Sequence, residues 1–155
     1  MRKIDKIYLH CTATKGDDSG DVSVETVRRW HTTEPRNWSD IGYHYLISRD
    51  GTVHVGRPIE RAGAHARGHN ATSVGVCYTG GIHELTGHAW DTRTPEQIKA
   101  LKTLVNALRE VFPTILSVHG HNEVSAKSCP CFNVSAEFVE FNRGHRANLC
   151  ECGKK

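Results

Sequence analysis

Hydrophobic and polar positions alternate in short blocks whose period switches between two and about 3.6 along the chain. In Lys6-Ile7-Tyr8-Leu9-His10 the period is two, which predicts a strand with Ile7 and Leu9 on one face and Tyr8 and His10 on the other. Lys15 to Asp21 is a polar loop, after which Ser23 caps a predicted helix with Val24, Val27 and Trp30 on one face. Tyr43 to Arg49 and Thr52 to Arg57 read as two strands joined by Asp50-Gly51, a dipeptide suited to a tight hairpin turn. Val74 to Tyr78 is an unbroken apolar run ending at Gly80-Gly81, the pattern of a buried strand.

The clearest element is a long helix. Thr94 caps it, Pro95 takes its first position and Gln97 completes a capping box. Ile98, Leu101, Leu104, Val105 and Leu108 form its apolar stripe, and Pro113 lies beyond its end. Ile115 to His119 is a further strand, and a last helix from Ser135 to Arg143 packs Phe138 and Phe141. Periodicity stops at Gly144, so residues 144–155 are expected to form a flexible tail behind a single domain of residues 1–143. Strands interspersed with helices predict an α/β fold, a central sheet with helices packed on it.

A length of 155 residues suits one domain, and no apolar stretch is long enough to span a membrane as a helix. The net charge of +3 is far from a nucleic-acid-binding profile. Met1 to Lys6 leads into the first strand without an apolar signal core, which places the expected site of accumulation in the cytoplasm. In that compartment the six cysteines read as thiols or metal ligands rather than as a disulfide framework.

The eleven histidines must be sorted by position. His121 and Cys129 bracket a loop and can converge on one metal when the chain turns back. Zinc suits an imidazole and thiolate pair, and His10 at the end of the first strand is well placed as a third ligand. Three protein ligands leave a fourth position open, the catalytic pattern. A surface imidazole and a buried free thiol would show the same spacing. Cys129, Cys131, Cys150 and Cys152 offer a weaker four-thiolate alternative, since their pairs lack the usual CxxC spacing. His119 and His121 would chelate together only if their strand continued through Gly120.

Several motifs then occur in order: Leu9-His10-Cys11-Thr12-Ala13-Thr14, Ile41-Gly42-Tyr43-His44-Tyr45, Arg49-Asp50-Gly51-Thr52-Val53, Gly63-Ala64-His65-Ala66 and Ser73-Val74-Gly75-Val76-Cys77. The last runs from His121 through Glu123, Val124 and Lys127 to Cys129-Pro130. Together they resemble the zinc-dependent N-acetylmuramoyl-L-alanine amidases of the peptidoglycan recognition protein fold, in particular phage endolysins similar to the phage T-seven lysozyme. The resemblance spans Ile7 to Phe141 and implies a central mixed β-sheet flanked by about three α-helices.

It further implies one zinc ion per chain on His10, His121 and Cys129, with Tyr43 and Lys127 as catalytic residues. The implied reaction is hydrolysis of the amide between N-acetylmuramic acid and L-alanine in peptidoglycan. His65 and Arg67, in a Gly-rich loop, are expected to contact substrate, while His31 and His44 read as structural. Glu123 suits either a general base or a loop-ordering carboxylate. Two other classes compete: a peptidoglycan-binding module without turnover, and a regulator of phage RNA polymerase. An enzyme of this kind, expected to be a monomer, would need a holin to pass from the cytoplasm to the wall.

Overall fold

The computed structural model describes residues 1–144. The expected tail from residue 145 onward lies outside them, while Gly144 itself still belongs to a helical segment, residues 139–144. Seven strands are present among the described residues: β1 (Lys6–Cys11), β2 (Thr14–Lys15), β3 (Tyr45–Ile47), β4 (Val53–Val55), β5 (Ser73–Tyr78), β6 (Gly81–Ile82) and β7 (Ser117–Gly120). Five of them form a sheet in the order β4-β3-β5-β1-β7, and β2 and β6 pair separately. β1 runs parallel to both β5 and β7, β3 runs parallel to β5, and β4 is antiparallel to β3, so the sheet is mixed. The β3–β4 pair is the hairpin expected at Asp50-Gly51; Gly51 adopts φ +86°, which a side chain would resist.

Helices α1 (Val24–Thr32), α2 (Pro95–Val111) and α3 (Val134–Glu137) accompany the sheet. Both expected caps are made: the Ser23 hydroxyl accepts from the Thr26 amide, and Thr94 and Gln97 form a reciprocal capping box. On α2 the buried stripe is Gln97, Leu101, Val105 and Leu108, with Leu104 partly buried beside it. Gln97 is fully buried because its amide donates to the carbonyls of Ile47 (3.2 Å) and Thr79 (3.0 Å), tying the helix start to β3 and the end of β5.

Three expectations are corrected. On α1 the inward face is Val24, Val27 and His31, while Trp30 is 41% exposed. His31 wins the inward position because its Nδ1 accepts the Gly42 amide at 2.9 Å, a long-range partner that helical periodicity does not reveal. The last helix starts at Val134, capped by Asn133, and is interrupted at Phe138 before residues 139–144 resume. The Ile115–His119 strand is displaced to Ser117–Gly120, with Ile115 buried ahead of it.

The main core lies between the sheet and α2. Ile7, Leu9 and Cys11 of β1 face it together with Val74, Val76 and Tyr78 of β5 and Leu101 and Val105 of α2. Side chains alternate along a strand, so the same register turns Tyr8 and His10 to the opposite face. β5 lies on one side of β1 and β7 on the other. The carboxyl ends of these parallel strands, where the chain changes side, are where open α/β sheets place their sites.

Candidate metal centre

His10 lies near the carboxyl end of β1, paired with Cys77 of β5. Gly120 closes β7 opposite Leu9, and His121 opens the 3-10 turn His121–Glu123 that follows. The turn ends the strand, so His119 and His121 do not share a strand face. Cys129 arrives on the loop between this turn and α3. One donor atom from each of His10, His121 and Cys129 lies within 4.8 Å of the other two. His10 is fully buried, and the other two are half-buried.

The charge state of each donor suits a metal. Burial, reinforced by His65, His121 and Lys127, holds His10 well below the ordinary histidine value. Burial and then Lys127 lower His121 as well, so both rings favour the neutral form that carries a free lone pair. The Cys129 thiol is lowered by hydrogen bonding from Cys11 and by the Lys127 charge, against the opposing effect of burial. The Cys11 backbone amide donates to Cys129 Sγ at 3.2 Å, a contact that supports a thiolate. Two neutral imidazoles and a thiol disposed toward its anion form a donor set that zinc accepts.

A hydrogen-bond relay behind His10 settles which of its nitrogens faces the others. The His69 carbonyl can only accept, so the Ser73 hydroxyl donates to it at 2.7 Å. Ser73 Oγ then accepts from His65 Nε2 at 3.3 Å. This leaves His65 Nδ1 to accept from His10 Nε2 at 2.9 Å, and His10 Nδ1 keeps its lone pair. That nitrogen lies 3.8 Å from Cys129 Sγ. His65, expected from the sequence as a substrate contact, is therefore buried behind His10 and only 8% exposed. Gly75 allows this, since a Cβ there would come within 2.6 Å of the His65 ring. The Asn70 side chain orders the same loop by accepting from the amides of His65 and Ala66, both at 2.9 Å.

Tyr43 joins the cluster from the segment before β3, its ring centroid 5.1 Å from that of His10. Burial, with the sulfurs of Cys77, Cys129 and Cys11 nearby, raises its phenol well above the ordinary tyrosine value and keeps it a proton donor. Arg57 positions this segment and was not foreseen, because nothing local in the sequence marks it. Its buried guanidinium donates to the carbonyls of Ile41 (2.8 Å), Ala62 (2.7 Å) and Asp40 (3.1 Å). His44 behaves as the structural residue expected, its Nδ1 accepting from the Gly75 amide at 3.0 Å.

Lys127 is exposed, yet its charge reaches His10, His121 and Cys129. Arg67 is also exposed, two residues past His65. Glu123 orders its loop: one carboxylate oxygen accepts from the Gly120 amide at 2.5 Å and the other pairs with His119 Nδ1 at 3.1 Å.

The profile of the N-acetylmuramoyl-L-alanine amidase family matches residues 1–132. The endolysin of Enterobacteria phage K11 is 39% identical over 144 residues, covering 90% of this chain and 91% of the relative. The endolysin of Escherichia phage T7 is 39% identical over 145 residues, covering 90% and 92%. Among solved structures, the N-acetylmuramoyl-L-alanine amidase LysC from Clostridium intestinale URNW superposes with a TM-score of 0.73 at 29% identity, covering 91% of this chain and 87% of that one.

Proposed function

The chain belongs to the N-acetylmuramoyl-L-alanine amidase family and is a phage-type endolysin that hydrolyses cell-wall peptidoglycan, and from that premise we propose that His10, His121 and Cys129 hold one zinc ion per chain at the reacting centre. The observation that carries this reading is the convergence of their three donor atoms within 4.8 Å of one another. When bound, zinc supplies Lewis acidity and makes water nucleophilic near neutral pH.

The protein's own residues supply the rest. The relay from His69 through Ser73 and His65 keeps His10 Nδ1 unprotonated and the ring fixed. Attack on the lactyl amide carbonyl builds negative charge on its oxygen, and the Lys127 ammonium stabilises that charge across the mouth of the site. The Tyr43 phenol, held in its protonated form, orients the carbonyl or the attacking water by a hydrogen bond. Arg67 offers a guanidinium to carboxylates of the stem peptide. His65 acts through His10 instead of touching substrate.

The catalytic unit in this reading is residues 1–143, acting as a monomer. No helix among the described residues is long and apolar enough to cross a membrane. The enzyme would accumulate in the host cytoplasm and reach the wall once a holin breaches the inner membrane. Metal analysis of Cys129→Ser tests the ligand set: the variant should retain far less zinc and lyse poorly. Wild-type zinc content and lysis in that variant would overturn it.

A further inference from the structure

Four free thiols, Cys11, Cys77, Cys129 and Cys131, lie among the described residues. The metal set uses one of them. Cys11 Sγ and Cys131 Sγ lie 3.8 Å apart, although the two residues are 120 positions apart in the chain. Cys11 points to the core face of β1, opposite to His10, so this pair lies on the other side of the strand from the two imidazoles.

The local structure is built around the contact. Cys131 has φ +70°, a left-handed conformation unusual for a residue with a side chain. Its sulfur rests 3.4 Å from the Gly81 carbonyl oxygen. A Cβ on Gly81 would lie 2.5 Å from Cys11 Sγ and 3.6 Å from Cys131 Sγ, so the missing side chain provides the space that both sulfurs occupy. Bonding the two sulfurs requires them to approach by less than about 2 Å, within reach of side-chain rotation and a small loop shift.

We infer that Cys11 and Cys131 form a disulfide when the protein meets an oxidising thiol pool, tying the Cys129 loop to the end of β1. The oxidant is a small-molecule disulfide. Cys131, half-buried and the more accessible of the two, attacks one of its sulfurs, forming a mixed disulfide and releasing one small thiol. Cys11 then attacks Cys131 Sγ and expels the second small thiol. Two protein thiols are oxidised, one external disulfide is reduced, and the two protons leave with the small thiols. The cell wall lies outside the reducing cytoplasm, so the itinerary proposed above would bring the protein to such a pool. The cross-link itself does not depend on that itinerary.

The bridge would restrain both chain segments that meet at Cys129 Sγ, since Cys11 supplies the amide donor to it and Cys131 follows it by two residues. Full-length zinc-loaded protein is incubated with oxidised glutathione, alkylated and mapped by mass spectrometry without reduction. The expected result is a mass loss of two hydrogens and a peptide joining Cys11 to Cys131, absent from Cys131→Ser and retained in Cys77→Ser. The oxidised protein should melt at a higher temperature and release zinc to a chelator more slowly than the reduced protein. Mixed disulfides alone, a link through Cys129, or a link from Cys131 to Cys150 or Cys152 would overturn the pairing. A Cys11–Cys131 link with unchanged zinc release would overturn its bracing role. The peptide map of the wild-type protein decides the pairing even if Cys131→Ser folds poorly.

Discussion

Replacing His65 with alanine removes the acceptor of the 2.9 Å hydrogen bond from His10 Nε2 and leaves that N–H without its partner. His10 is 1% exposed, so bulk water does not freely replace the lost bond. An unsatisfied buried donor costs about 1–3 kcal/mol. Loss of a partner behind a metal-binding histidine typically lowers metal affinity or activity by about 10- to 100-fold, equivalent to about 1.4–2.7 kcal/mol. The two routes agree, and the second gives the expected outcome: zinc affinity of His65→Ala, read by chelator competition, falls by about one to two orders of magnitude. His65→Gln, whose side-chain carbonyl can accept from His10, should recover part of the loss. Ser73→Ala removes the hydroxyl that fixes the His65 tautomer and should show a smaller deficit in the same direction. A direct substrate contact would instead raise KM and leave zinc affinity unchanged. Wild-type zinc affinity in a folded His65→Ala would refute the relay.

Lys127→Ala and Tyr43→Phe should each retain zinc and fold normally while losing about 10²- to 10³-fold in turnover of purified peptidoglycan; loss of zinc from either would place that residue among the ligands. Acid should destabilise the fold through His31 and His44, both held at about 4 mainly by burial, against about 6.5 in the unfolded chain. Above about pH 6.5 both states are neutral at these rings and nothing is lost; between about 6.5 and 4 the unfolded chain takes up the protons first, so stability falls with pH. The loss should reach the order of 3 kcal/mol per ring and level off below about pH 4. Denaturant titrations of His44→Gln against wild type across that range check it, and an unchanged pH slope would contradict it. Expressed alone in Gram-negative cells, the protein should lyse them poorly until the inner membrane is permeabilised; rapid lysis without membrane damage would contradict the proposed route to the wall.

Much of this architecture is legible in the sequence where local chemistry decides it. The Thr94–Gln97 capping box, the Asp50-Gly51 turn and the apolar run Val74 to Tyr78 of β5 each carry their own signal, and all three elements are present. The grouping of His10, His121 and Cys129 is legible because the order of motifs identifies the family, not because spacing alone excludes a surface histidine. What local pattern does not carry is the choice between neighbouring positions made by long-range partners. His31 displaces Trp30 from the inner face of α1 for the Gly42 amide, and His65 retreats behind His10 because Gly75 leaves room for its ring. The Arg57 clamp and the meeting of Cys11 with Cys131 depend on chain crossings that no periodicity records.

Mass spectrometry of the fragments released from purified peptidoglycan by the zinc-loaded protein tests the central claim most directly, with metal-free protein and Cys129→Ser alongside. The account predicts glycan strands bearing free muramic lactyl carboxyls and stem peptides with a free L-alanine amine, both scarce in the two controls. Fragments cut within the glycan or within the stem peptide, or the same products in equal yield from the controls, would contradict it.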